Sequence, residues 1–306
     1  MAVAPSFPLY ELPKDELRWV IRLMDPVALL NRSSTLTCDF YMNGSVPKEI
    51  VSPSDVIFHY GWDGPVHKWK QDGYEAKDWL DHFKTTFHLK EFFLSFDDYA
   101  AEVNIDFLYT QFGTPFFLYC RKNFGHEINN RILKLLAPKN SLYATTSIFE
   151  NMHNRNTIFS QTLDELGMYG YDPSFTLDHL LCVNARKIVY HDSRVSLKIL
   201  NKFLKLWKVG SNSRLEQLYF QLTSFSRRFS DIIMEGIPYK IVPKEENQQR
   251  RFKSWDGKIM GSWDGKAMDI CRFDGTKATV CIIQRHTSID VYFYVWHDHC
   301  IVNNVV

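Results

Sequence analysis

A strand-like phrase recurs through the middle of this chain about every 25 residues, and it constrains the fold more than any other feature. It reads Leu89-x-x-Phe92-x-Leu94, Phe116-x-Leu118, Leu142-x-Ala144, Leu163-x-x-Leu166-x-Met168, Ala185-x-x-Ile188-x-Tyr190 and Leu215-x-x-Leu218-x-Phe220. With Phe92, Phe116, Leu142, Leu166, Ile188 and Leu218 as anchors, the spacings are 24, 26, 24, 22 and 30. Helical stripes lie between the phrases. Ile128, Ile132, Leu135 and Leu136 form one, stopped by Pro138, and Leu200, Phe203, Leu204 and Trp207 form another between Ser196 and Gly210. A strand-plus-helix unit with one apolar face can bury that face only against its neighbours.

Periods of 20–29 residues around an L-x-x-L-x-L core are the mark of leucine-rich repeats. The expectation for residues 81–222 is therefore a degenerate leucine-rich-repeat-like β-α solenoid. The repeat is degenerate because the asparagine due after each strand is missing from most units, with Asn123 fitting. An irregular α/β sheet with evenly spaced strands fits the same text. Either way β and α alternate, which favours a mostly parallel sheet and an α/β fold class. Exposed strand positions, here Glu91, Tyr119, Tyr143, Glu165, Lys187 and Gln217, are where such a surface would bind a partner.

The flanks differ in character. Near the N-terminus, within residues 6–42, Leu17, Val20, Ile21 and Met24 stand at i, i+3, i+4 and i+7, one apolar stripe on a short helix. Pro13 precedes it, and Asp25-Pro26 ends it and opens a second helix carrying Val27, Leu29 and Leu30. Such a hairpin also fits simple docking on the chain's own domain. Residues 43–80 read as a linker and a first repeat or cap. Residues 223–306 read as a small antiparallel β element capping the last repeat. There Ser254-Trp255-Asp256-Gly257-Lys258 recurs as Ser262-Trp263-Asp264-Gly265-Lys266, and Asp274-Gly275 sits between strand-like Met268–Cys271 and Thr279–Ile283. Asp-Gly is expected to supply the positive φ angles of a tight hairpin, and Val291–Trp296 is a third strand.

Charge and cysteine usage exclude several roles. Lysine plus arginine (36) nearly balances aspartate plus glutamate (35), so no field draws nucleic acid or an anionic membrane. No apolar run reaches the roughly 18 residues of a bilayer span, and no secretory signal is expected. Six cysteines scattered without CxxC spacing point to reduced thiols in the cytoplasm or nucleus. His297-Asp298-His299-Cys300, with Cys271 and Cys281, raises zinc, yet lacks two close ligand pairs, so no metal and no cofactor are expected. No GxSxG, GxxxxGK[ST] or HExxH is present, so no catalytic residue is assigned and a non-enzymatic protein is expected.

Leu12-Pro13, the stripe ending in Leu23-Met24-Asp25-Pro26, and Leu29-Leu30 resemble an F-box, that of the nematode family carrying an F-box-associated domain of the second type. Phrases around Phe175–Leu181, Lys187-Ile188, Leu200–Trp207 and Gly210–Leu218 resemble that associated domain, as do Asp274-Gly275-Thr276 and Tyr294-Val295-Trp296 near the end. The resemblance implies a substrate-recognition adaptor of a Skp-cullin-F-box type ubiquitin ligase. Leu12, Pro13, Leu17, Val20, Ile21, Met24, Pro26, Leu29 and Leu30 would form the F-box and bind a Skp-type adaptor, and the repeat region would bind an unknown protein substrate. The chain departs from the family after Leu30. Where a third helix is due, Asn31 to Phe40 lead into Asn43-Gly44 and Pro47, a turn. A shortened F-box would leave a stand-alone protein-protein interaction module as the alternative.

Overall fold

Leu118, Leu142, Leu166, Ile188 and Leu218 lie side by side on neighbouring parallel strands, all but removed from solvent. This row belongs to a computed structural model that describes residues 36–41, 55–60, 66–69, 77–78, 81, 85, 93–96, 105–149, 155–223, 228–261 and 265–302. The chain divides into two units, Met1–Lys90 and Glu91–Val306. The F-box-like positions Leu12, Pro13, Leu17, Val20, Ile21, Met24, Pro26, Leu29 and Leu30 lie outside the described residues.

In the first unit, β1 (Leu36–Tyr41), β2 (Asp55–Tyr60) and β3 (Val66–Trp69) form an antiparallel sheet in chain order. Strand therefore occupies the end of the segment read as helical, 6–42, and antiparallel strands occupy the segment read as linker, first repeat or cap, 43–80. The cause is local: Thr37, Phe40 and Tyr41 in β1, and Val56, Ile57, Phe58 and Tyr60 in β2, are residue types that suit a pleated surface.

The second unit is a mixed α/β layer built on one ten-stranded sheet, ordered β10-β13-β14-β15-β9-β8-β7-β6-β5-β4. β4 (Phe93–Phe96), β5 (Phe117–Cys120), β6 (Ser141–Thr145), β7 (Glu165–Tyr169), β8 (Lys187–Ser193) and β9 (Gln217–Leu222) pair parallel, each with the next in sequence. The register moves two of the anchors. Leu94 and Leu118, not Phe92 and Phe116, align with Leu142, Leu166, Ile188 and Leu218, so the first three steps are each 24 residues. Phe96, Cys120, Ala144, Met168, Tyr190 and Phe220 form a second buried row on the same face. One-period hydrogen bonds tie successive units: Asn123 Nδ2 donates to the Ser147 carbonyl (3.0 Å) and Asn140 Nδ2 to Asp164 Oδ2 (2.7 Å).

The connections contain helices, among them Ile105–Phe112, His126–Leu135, Leu177–Cys182 and Leu197–Lys208. The last buries Leu200, Phe203, Leu204 and Trp207, the stripe read from sequence. Ser196 caps its start by accepting from the Lys198 N–H. At its end Gly210 has φ 113°, the Gly210 N–H donates to the Trp207 carbonyl and the Ser211 N–H to that of Leu206. These paired bonds are a Schellman motif, which needs a residue free of a Cβ penalty at positive φ. Inside, the Trp207 ring meets Phe293 edge-on at 4.9 Å.

The C-terminal strands extend this sheet rather than capping it. β13 (Lys266–Cys271), β14 (Lys277–Gln284) and β15 (Ile289–Val295) form an antiparallel meander, and β15 pairs antiparallel with β9. β10 (Lys240–Ile241) pairs with β13, and the hairpin of β11 (Arg251–Lys253) and β12 (Ile259–Gly261) forms a two-stranded sheet. The turns Ser254–Lys258 and Arg272–Thr276 are built alike. In each the first N–H donates to the fifth carbonyl (2.9 and 2.8 Å) and the glycine N–H to the first carbonyl (2.9 and 3.0 Å). Within these two turns only Gly257 and Gly275 have positive φ, so these are three-residue loops with a glycine bulge, not the tightest hairpin expected. Asp256 and Asp274 explain the difference, since each carboxylate accepts the fifth residue's N–H (3.2 and 2.9 Å).

Candidate functional site

Side chains alternate across a strand, so the face opposite the leucine row carries the other positions. On β5 to β9 and β15 that face is aromatic. Tyr119, Tyr143, Tyr169, His191, Tyr219, Tyr292 and Tyr294 form a continuous chain of rings. Successive ring centres are 4.8–6.2 Å apart, with Tyr169 and His191 stacked within 3° of parallel. Each such pair adds about 0.5–1.5 kcal/mol beyond its buried area.

The zigzag has a local cause. In the register column Tyr119, Tyr143, Gly167, Val189, Tyr219 the third place has no side chain. A Cβ built on Gly167 would lie 2.1 Å from Tyr143 Cδ1, so the Tyr143 ring lies across the bare backbone of β7. The row then continues through Tyr169 and His191, which are in register on β7 and β8.

Charges border the rings. The Tyr143 hydroxyl donates to Glu165, which also pairs with Lys187. Arg121 Nε donates to the Tyr119 hydroxyl at 3.2 Å. The Tyr219 hydroxyl donates to Asp290 at 3.3 Å, and Arg285 Nε reaches the same carboxylate at 2.6 Å. Burial, reinforced by the neighbouring carboxylates Glu165 and Asp290, pushes the hydroxyls of Tyr143 and Tyr219 above the ordinary tyrosine range. Both hydroxyls are therefore neutral donors at physiological pH.

The β11–β12 hairpin limits the open part of this face. Phe252 packs against Tyr294 and Trp296 (ring centres 5.1 and 5.6 Å), in an apolar cluster with Cys281 and Cys300. Of the positions expected to bind a partner, Tyr119, Tyr143, Glu165 and Lys187 stand on the open face and are only partly buried. Gln217 is buried, with Met260 of the hairpin 4.0 Å from its Nε2, so its placement on an exposed surface is corrected. Glu91 lies outside the described residues. Tyr169, His191, Tyr219 and Tyr292 were missed. Aligning the units on Leu118 and Leu142 puts Tyr119, Tyr143 and Tyr219 in one column and Tyr169 and His191 in the next, a signal already present in the sequence.

Comparison with protein families adds one finding. Residues 154–220 match the family described as F-box associated. The matched segment contains β7, β8 and the first part of β9, with Tyr169, His191 and Tyr219, and the helices between them. It starts some twenty residues before the resembling phrases at Phe175–Leu218, and stops short of those near Asp274 and Tyr294. No curated protein and no solved structure matches the chain.

Around the cysteines, Cys271 is exposed, Cys120, Cys281 and Cys300 are buried, and all of these are free thiols. Burial raises the thiols of Cys120 and Cys281, the first to about 12 and the second to about 11, so both are inert at neutral pH. Among the described residues, no helix is long and apolar enough to cross a membrane.

Proposed function

We propose that this chain is a non-enzymatic substrate-recognition adaptor of a Skp-cullin-F-box type ubiquitin ligase, working in the cytoplasm or nucleus. The observation that carries this reading is that the F-box-associated match falls on the strands that hold the centre of the aromatic row. β4–β9 act here as leucine-rich-repeat-like units, with helices covering one face and the other free for a partner. The row crosses six strands, from β5 to β15, which at about 4.8 Å per strand is a track of roughly 24 Å. An extended segment of about seven residues matches that length. Tyrosines supply contact area at low entropic cost, and Lys187, Glu165, Arg121 and Arg285 offer charge selection at the borders. Leu12, Pro13, Leu17, Val20, Ile21, Met24, Pro26, Leu29 and Leu30 would carry the Skp-type adaptor, and the substrate would be a protein.

A second reading is a stand-alone interaction module. The strand Leu36–Tyr41 favours it, because that strand occupies the place where an F-box would continue into its third helix. Co-expression with a Skp-type adaptor separates the two. Co-elution at micromolar concentration, abolished by Leu17→Asp with Met24→Asp while far-UV circular dichroism is unchanged, supports the ligase adaptor. Absence of co-elution with the wild-type chain leaves the stand-alone module.

A further inference from the structure

We propose that Glu216, His299 and Cys300 form a zinc site that fastens the C-terminal turn to the start of β9. This ligand set differs from the one the sequence displayed, since Cys271 and Cys281 take no part and Glu216 comes from 83 residues upstream of His299. Glu216 immediately precedes β9, while His299 and Cys300 lie in the short 3-10 helix Asp298–Cys300 that follows β15. The antiparallel pairing of β15 with β9 brings the two segments together.

Three observations converge. The Glu216 oxygen, His299 nitrogen and Cys300 sulfur lie within 4.8 Å of one another. A tetrahedral zinc with ordinary bond lengths separates such ligands by about 3.5 Å. The His299 side chain is 59% exposed, so its ring has room to close the remaining gap. Second, Glu216 is 3% exposed and its Oε2 has no donor in hydrogen-bond geometry, although Oε1 meets His299 Nε2 at 2.9 Å and the Cys300 thiol is within hydrogen-bond reach of the carboxylate. A buried carboxylate oxygen left this way is costly, and a cation is the group that satisfies it. Third, the carriers are already held. The Glu216 N–H donates to the Arg186 carbonyl (2.8 Å), its carbonyl accepts from the Val295 N–H (2.8 Å), and the Cys300 N–H donates to the His297 carbonyl (2.8 Å).

The donor set selects the metal. Thiolate, imidazole and carboxylate together suit zinc, and one thiolate with one carboxylate neutralises its charge within a buried site. Arg186 Nε, 3.8 Å from Glu216, is the cation the zinc would displace. His297 stacks on His299 with ring centres 5.6 Å apart, but its Nε2 faces the Leu215 carbonyl at 3.1 Å. It orients the ligand ring, and water takes the fourth position.

Elemental analysis of the purified 306-residue chain, dialysed in metal-free buffer after addition of zinc, should find about one zinc per chain. Cobalt in place of zinc should give a thiolate-to-cobalt absorption band that is lost in Cys300→Ser. Because Cys300 is buried and its variant can fail to fold, His299→Ala, at an exposed position, serves as the second variant. It should keep the wild-type circular dichroism and lose most of the bound zinc. Substoichiometric zinc in the wild type, or equal zinc and an unchanged cobalt band in folded His299→Ala, would overturn the proposal.

Discussion

Asp269, Arg250, Thr279 and Trp296 form one hydrogen-bonded network. Arg250 donates to both Asp269 carboxylate oxygens (2.7 and 2.8 Å) and Thr279 Oγ1 donates at 2.7 Å, while Trp296 Nε1 in turn donates to Thr279 (2.8 Å). Burial alone would raise the Asp269 carboxyl, but the hydrogen bonds from Arg250 and Thr279 outweigh it and hold it below the usual range. The sign follows: the stabilisation is present above the unfolded carboxylate value near pH 4 and is lost as pH falls through the lower folded value. Asp269→Asn should cost about 1–3 kcal/mol at pH 7 and flatten the loss of melting temperature between pH 5 and about pH 3. Thermal melts of both chains across that interval check it, and parallel acid limbs would count against it. Residue-scale detail of this kind is poorly legible in sequence. Nothing in Arg250, Asp269 and Thr279 announces that three separate elements bring them together.

At the scale of elements, the pair β6 and β7 shows how one missing side chain shapes a surface. Gly167→Ala places a methyl carbon inside the Tyr143 ring's volume, so the ring must leave β7. The expected cost is about 1–3 kcal/mol, with a changed near-UV circular dichroism spectrum; urea denaturation with that spectrum checks both. A second element-scale case is Asn212, the one non-glycine residue with positive φ among the described residues (49°). Its Nδ2 is 2.9 Å from the Val183 carbonyl and 3.3 Å from that of Leu180, tying the loop after one helix to the end of another. Asn212→Gly relieves the backbone but removes those bonds, and should destabilise by about 1 kcal/mol in urea titration. The elements themselves were largely legible, because the period of the apolar residues set where strands and helices fall. The two-residue error at Phe92 and Phe116 came from reading aromatics as anchors, when the aligned column is the leucines two residues on, Leu94 and Leu118. The Asp-Gly turns were placed but mistyped, because the aspartate's grip on the backbone is a side-chain matter that the dipeptide does not state.

At the scale of the second unit, β14, β15 and β9 lie inside the sheet while β10 and β4 are its edges. Amides of Val280, Phe293 and Leu218, whose side chains are almost wholly buried, should be the slowest in hydrogen exchange, and those of β10 and β4 the fastest. Comparable rates at Val280 and Ile241 would contradict that layering. The joining of the C-terminal meander to the parallel strands was not legible, because strand pairing across distant segments leaves no local pattern. The aromatic row was half legible, its tyrosines visible and their alignment hidden until the register was known.

β9 faces both ways, parallel to β8 and antiparallel to β15. It is the seam at which a repeating structure is terminated. On the parallel side of the seam the strand-to-strand steps are 24, 24, 24, 22 and 30 residues, so a further unit of that kind would add there. Each gain or loss of a module would move one end of the ring track by a single strand spacing, about 4.8 Å, and leave the other end where it was. The sheet is thus a ruler with one end nailed down, and a face lengthened in this way would grow by whole divisions.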